Sequence, residues 1–325
     1  MIAYFDAHCD TIYRCLETGT DISLSFGAEL AQKQFFADCQ SLRKNSGHID
    51  LARARNFTRY AQFFALFYDA HDAPKEGMWY KCQQLHTSFL REMEQNADLI
   101  TQCCTGAEID SANRSGKSAA LLSVEGADLL ECQIERIETV ANWGVRLLNP
   151  VWNRANILCG TNCEDTGRGL SSYGHDFVRE LERYNIYTDV SHISDAGFWD
   201  IIHMTQKPVV ASHSNARAVC EHPRNLTDDM FCAIRDTGGV VGINLYRNFV
   251  GDDSMEMLLR HIEHFLELGG EKTVCIGGDL DGCEALAGDL RGIEDIPKIY
   301  DALLIRGYKK DLLCDIFWNN LRRLM

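Results

Sequence analysis

Ile2-Ala3-Tyr4-Phe5-Asp6-Ala7-His8-Cys9-Asp10-Thr11 begins as an apolar run and stops abruptly in polar residues. In an extended strand successive side chains alternate faces, so His8 and Asp10 point the same way and Cys9 points away. An imidazole and a carboxylate side by side at a strand's end can be two ligands of one divalent metal. Taken alone the triplet reads as the polar end of a strand. A metal site needs partners from elsewhere in the chain.

The pattern recurs. Short apolar runs that end in polar residues cover Ile2–Asp6, Ala61–Tyr68, Ala119–Val124, Val145–Val151, Ile186–Val190, Pro208–Ala211, Gly239–Leu245 and Val274–Gly278. Amphipathic segments lie between them: Lys81–Asn96, Leu130–Asn142, Asp176–Tyr184, Ala196–Met204, Asp228–Thr237 and Ser254–Leu268. Near-continuous apolar strands alternating with helical patterns indicate a parallel sheet buried on both faces. Eight such repeats predict an α/β fold, a closed (β/α)8 TIM barrel, with an open doubly wound sheet as the alternative. The first two crossovers are long, above all residues 12–60, where His48-Ile49-Asp50-Leu51 precedes a helical stretch.

Composition narrows the class without naming a reaction. The 325 residues are 46% hydrophobic and 24% charged, ordinary values for a globular chain. Thirty-two basic against 47 acidic residues give a net charge of −15, which weighs against nucleic acid or an anionic membrane as partner. No signal-like start and no apolar run of ~18 residues is evident. The 14 cysteines are scattered and form no CxxC pair, so reduced thiols and a cytoplasmic location are expected. No Pro- or Ser-rich linker breaks the chain, and a single domain over residues 1–325 is expected.

Barrel enzymes carry their active sites at the C-terminal ends of the strands. His8 and Asp10 follow the first run and Glu125 the third; the fifth ends in Asp189-Val190-Ser191-His192 and the sixth in Ala211-Ser212-His213-Ser214. The eighth ends in Gly277-Gly278-Asp279-Leu280-Asp281-Gly282. Convergence from five strands is hard to explain as isolated core histidines. If Glu125 bridges two ions, His8, Asp10 and Glu125 serve one, and Glu125, His192 and His213 serve the other. Each ion then has three protein ligands and an open position for a shared water, as catalytic rather than structural sites do. Mixed imidazole and carboxylate ligation suits zinc best, with manganese or iron as alternatives.

These residues carry a family resemblance. The segments Ala7–Thr11, Ser123–Gly126, Thr188–His192, Ser212–Arg217, Pro223–Asp229, Gly238–Asn244 and Ile276–Gly282 resemble, in order, the membrane dipeptidase (renal dipeptidase) family, peptidase family M19. The resemblance implies a metal-dependent hydrolase barrel with two zinc ions that cleaves dipeptides. It assigns ligands to the same five residues. It also implies that Asp279 handles the proton of the shared water and that Arg224 grips the substrate's carboxylate; Asp281 is the alternative base. A carboxylate can relay a proton to the leaving amine, and a guanidinium fork can hold a carboxylate bidentately. Tyr246, in Asn244-Leu245-Tyr246, is placed as a wall of the pocket. A homodimer is suggested as well, although no stretch of sequence marks an interface.

The chain departs from the family at Trp152, where members with known chemistry carry a histidine. A Trp offers one indole N–H and no basic nitrogen. It can donate to an oxyanion or wall the pocket. Two alternatives follow: another binuclear amidohydrolase, acting on cyclic amides or similar bonds, or a metal-binding barrel of weak activity. Against the first, this chain has His8-x-Asp10 rather than His-x-His, and no lysine between Gly144 and Ala155.

Other features receive plainer readings. Cys159–Tyr173 is glycine-containing and is expected to be a mobile flap rather than a phosphate loop. Asp279-x-Asp281-Gly282 opens like a calcium loop, but Leu290 stands where its closing glutamate belongs. His261 and His264 are expected on an exposed helix face. His48, His71, His86, His175, His203 and His222 are expected in loops or on the surface.

Overall fold

The structure, a computed structural model, describes residues 1–17 and 41–325. Residues 18–40, within the first long crossover, lie outside the described residues. Each of the eight apolar runs overlaps a strand: β1 (Ala3–Asp6), β2 (Arg59–Phe67), β4 (Ser118–Glu125), β5 (Val145–Asn149), β6 (Tyr187–Thr188), β7 (Val210–Ala211), β8 (Val240–Ile243) and β9 (Val274–Ile276). All pair in parallel, in the order β6-β5-β4-β2-β1-β9-β8-β7. A bridge from Asp189 to Val210, with Val190 N–H donating to the Val210 carbonyl at 2.8 Å, joins the two ends. The parallel eight-stranded barrel is thus nearly closed, and the open sheet is excluded.

Alternation along the strands sorts the core into two layers. Phe5, Phe63, Leu121, Leu147, Val240 and Cys275 pack together inside the ring. Trp318, from the last turns of the chain, meets Phe5 at 5.7 Å between ring centroids and seals that inner layer. The next residues along, such as Phe64, Leu122, Leu148 and Ile276, face the surrounding helices. Filling the lower barrel with side chains leaves the C-terminal mouth for chemistry.

The six expected helices are present as Met78–Gln95, Arg136–Asn142, Ser172–Arg183, Asp195–Met204, Asp228–Asp236 and Met255–Glu267. Four start at a Ser or Thr whose side chain accepts from a backbone N–H three residues on: Ser171, Ser194, Thr227 and Ser254. The stretch expected as one helix over Leu130–Asn142 is instead a tight turn at Ala127–Leu130 followed by the shorter helix. A further strand, β3 (Ile100–Gln102), pairs with the start of β4 outside the ring. Three residues are too short a run to stand out. A further helix, Gly106–Arg114, starts at a capping box formed by Thr105 and Glu108.

One histidine expectation fails. His261 is fully buried, within the stripe Leu258, Leu259, Ile262 and Phe265 of its helix. Its Nδ1 accepts from Ala216 N–H at 3.1 Å and its Nε2 bonds the Val250 carbonyl at 2.9 Å, so a polar ring satisfied at both ends sits in an apolar seam. His48 lies in a loop, as expected, but is buried there, its Nδ1 accepting from Asp281 N–H at 2.9 Å. Among the described residues, none of the cysteines is paired in a disulfide.

Candidate active site

The strand ends deliver their polar residues to one place. Beyond β1 the chain bends at Ala7, which packs inside the ring, whereas Cys9 two residues on packs outside it. That break in alternation turns His8 and Asp10 to the mouth together, with His8 Nε2 3.4 Å from Asp10 Oδ2. Asp6, buried beneath them, accepts from His8 N–H at 2.9 Å and from Gly278 N–H at 3.1 Å, tying the β1 end to the β9 end. Burial raises its pKa to about 6. Glu125 is the last residue of β4 and lies on its inward face.

Glu125 stands between the histidines. Its Oε1 is 2.8 Å from His192 Nε2 and 3.6 Å from His213 Nε2, while its Oε2 is 3.5 Å from His8 Nε2. The Nε2 atoms of His192 and His213 are 2.9 Å apart. Their outer nitrogens are held: His192 Nδ1 meets Asn153 Oδ1 at 3.0 Å, and His213 Nδ1 meets Ser212 Oγ at 2.7 Å. Such outer partners orient an imidazole and leave its inner lone pair for a metal. Asp189 Oδ1 accepts from Ser191 N–H at 3.0 Å and from Ser212 N–H at 3.1 Å, setting the His192 and His213 loops side by side.

The donor set fits a bound cation. Ligand atoms of His8, Glu125 and His213 lie within 4.8 Å of one another, as do those of His8, Asp10 and Asp279. His8 Nε2 and Asp10 Oδ1 are buried with no hydrogen-bond partner. Burial pushes Glu125 up to about 8, with Asp10 and Asp279 adding to it against the opposing pull of His8. Burial would lower His8, but the Glu125 and Asp10 carboxylates beside it win and hold it well above the usual value. Burial, reinforced by the positive charges of Arg224 and His8, keeps His192 and His213 well below theirs. Two neutral imidazoles and crowded carboxylates aimed at shared points are what a divalent ion takes up.

The two candidate bases separate. Asp281 is fully buried and engaged: Thr11 Oγ1 donates to its Oδ2 at 2.6 Å and His48 N–H to its Oδ1 at 2.6 Å. Asp279 lines the pocket, with Oδ2 accepting from Asn244 Nδ2 at 3.0 Å. Both residues have φ near +60°, so the strand alternation that would put them on one face has already ended.

Arg224 is buried, with Nη2 3.1 Å from His192 Nε2 and Nη1 without a hydrogen-bond partner. Its guanidinium lies 5.3 Å from the Phe249 ring. It shares a cavity of about 350 Å³ with Asp10, Glu125, His192, His213 and Asp279. Trp152 and Tyr246 line the same cavity; the Trp152 ring lies 4.8 Å from Phe67 and 6.2 Å from His192. Of the residues singled out for the site, His8 lies against the lining residues Asp10 and Glu125, Asp281 stays outside the cavity, and the others line it. Asn153, Ser212, Asn244, Phe67 and Glu284 went unread. A polar residue following an apolar strand could have pointed to Asn244 and Ser212; nothing local marks the others. Cys163, in the glycine-containing loop, also borders the cavity, and among the described residues no helix is long and apolar enough to cross a membrane.

A nearly closed parallel barrel with a buried histidine–carboxylate cluster at its C-terminal mouth defines a metal-dependent hydrolase. The family pattern of Membrane dipeptidase (Peptidase family M19) matches residues 1–325, and the chain belongs to that family of metallo-dipeptidases. A crystallised metallo peptidase from Rhodobacter sphaeroides, liganded with a phosphinate mimic of the dipeptide L-Ala-D-Ala, superposes with a TM-score of 0.84 at 27% identity. That match covers 99% of this chain and 98% of the other. The dipeptidase AC, a metallo peptidase of family M19, gives a TM-score of 0.86 at 26% identity over 99% and 97% of the two chains. A Klebsiella pneumoniae relative, the uncharacterized protein in the pqqA 5' region, is 33% identical over 243 residues, 71% of this chain and 89% of its own.

Proposed function

We propose that this chain, acting as a single domain over residues 1–325, is a two-zinc dipeptidase. His8 and Asp10 would hold one ion and His192 and His213 the other, with Glu125 shared between the two sets. The observation that carries the reading is the division of Glu125: Oε1 faces His192 and His213, and Oε2 faces His8. Divalent ions bound there would supply Lewis acidity to the scissile carbonyl and to the attacking water.

The chain's own residues do the rest. Arg224 receives the substrate's C-terminal carboxylate; its buried Nη1 has no partner, so an incoming carboxylate adds a charge-assisted bond without displacing one. Asn244 occupies Asp279 Oδ2 and turns the carboxyl, leaving Oδ1 to accept the water's proton and return it to the leaving nitrogen. Trp152, Phe67 and Tyr246 wall the cavity and limit solvent access to it. The R. sphaeroides enzyme's phosphinate dipeptide mimic supports a dipeptide as the substrate class here.

Purified protein is expected to contain about two zinc ions per chain and to hydrolyse simple dipeptides. Activity is expected to fall on chelation and to return with added zinc. Full activity in metal-stripped protein, or metal-loaded protein inert toward every dipeptide, would overturn the proposal.

A further inference from the structure

Four carboxylates line the described part of the cavity: Asp10, Glu125, Asp279 and Glu284. The first three converge on the metal cluster. Glu284 does not. It follows β9 by eight residues, and its Oε1 accepts from the Tyr246 hydroxyl at 2.7 Å. That hydroxyl also accepts from Asn248 Nδ2 at 2.5 Å, so ring and carboxylate are fixed together. Among the described residues no cationic side chain pairs with Glu284.

Its position relative to Arg224 is set by two aromatic rings. The Arg224 guanidinium lies 5.3 Å from Phe249, Phe249 meets Tyr246 edge-on at 4.9 Å, and Tyr246 bonds Glu284. Glu284 is therefore linked to Arg224 along the cavity wall through Phe249 and Tyr246. A substrate whose carboxylate rests on Arg224 extends its last side chain along Phe249 and Tyr246, an apolar track suited to a methylene chain. At the end of that track is a half-buried carboxylate whose hydrogen-bond partner is the neutral Tyr246 hydroxyl. Half-buried charges are screened less than exposed ones, and a cation placed there is attracted strongly.

We propose that Glu284, with Tyr246 and Asn248, forms a subsite for a cationic side chain on the C-terminal residue, making dipeptides that end in lysine or a similar base the preferred substrates. The inference rests on the proposed dipeptidase reading and on Arg224 as carboxylate anchor.

The test compares alanyl-lysine with alanyl-norleucine, and lysyl-alanine with norleucyl-alanine, for the zinc-loaded wild type and for E284Q and E284K. The wild type is expected to favour alanyl-lysine over alanyl-norleucine about tenfold in kcat/KM, mainly through KM and less so at high salt. E284Q should bring that ratio to near one, and E284K should invert it, while the lysyl-alanine to norleucyl-alanine ratio stays as in the wild type. No wild-type preference for alanyl-lysine, or a preference that survives E284Q, would overturn the subsite. So would a loss confined to lysyl-alanine, which would give Glu284 to the other end of the substrate. Failure to cleave any of the four dipeptides would remove the dipeptidase reading itself, and the subsite with it.

Discussion

Gly282→Ala isolates the packing that lets two site carboxylates come together. Gly282 is not in the left-handed region, so alanine meets no backbone objection there. The objection is contact. A Cβ at this position would lie 2.2 Å from Asp10 Oδ2 and 2.4 Å from Asp279 Oδ1, whereas ordinary contacts begin near 3.4 Å. Both oxygens must retreat by more than about 0.5 Å, the tolerance within which a ligand set keeps its geometry. Neither has slack, because Asp279 is held by Asn244 and Asp10 is buried beside His8. Overpacking of this kind destabilises by roughly 1–3 kcal/mol, and misplacing reacting groups by ~1 Å lowers rates by about 100-fold. G282A should fold, bind zinc about 10- to 100-fold more weakly in a chelator competition, and lose about 100-fold in kcat/KM when zinc-saturated. A melting curve of the metal-free protein separates the folding term from the site term. G282A with wild-type zinc affinity and kcat/KM within threefold would refute the reasoning.

Further outcomes are expected elsewhere. Asp10→Ala should release one zinc and keep the other, whereas Glu125→Ala should lose both; metal analysis after gel filtration reads the difference, and one retained ion in the Glu125 variant would argue against a bridge. Arg224→Lys should raise KM for dipeptides by about 10- to 100-fold, because an ammonium cannot replace a two-pronged donor; a lowered kcat at unchanged KM would remove Arg224 as the carboxylate anchor. Trp152→His should leave zinc content unchanged and raise kcat, since an imidazole supplies the second kind of nitrogen that indole lacks; an unchanged rate would make Trp152 a wall only. Burial holds His261 down to about 4, below the ~6.5 of an unfolded chain. The unfolded state therefore binds the extra proton as pH falls below ~6.5, and stability drops by about 2 kcal/mol by pH 5, levelling off near pH 4. Urea midpoints at pH 7 and pH 5 should show a steeper loss for the wild type than for His261→Gln, and parallel losses would contradict this.

Much of the molecule could be read from local pattern. The eight apolar runs are strands because a strand buried on both faces needs apolar side chains at nearly every position, and that composition is visible one residue at a time. The turn into chemistry was equally local: His8, Asp10, Glu125, His192, His213 and Asp279 all stand where such a run stops. Helix Met255–Glu267 was also legible, but its facing was not. His261 looked like a surface residue until Ala216 N–H and the Val250 carbonyl, far away in sequence, proved to satisfy both ring nitrogens.

Distances between strand ends belong to the closed barrel alone. Strand alternation would put Asp279 and Asp281 on one face, yet both adopt left-handed backbone, and only Asp279 turns to the cavity while Thr11 and His48 hold Asp281. Glu125 could be named as a bridge by counting ligands; its two oxygens acquire different histidine neighbours only when β4 lies between β2 and β5 and the ring closes from Asp189 to Val210. Asn153 and Glu284 carry no local mark because their roles depend on residues from other strands. Composition and periodicity determined which residues end the strands. Ring closure decided which of them share a cation, a proton or a substrate, because those interactions act over a few ångströms between segments far apart in the chain.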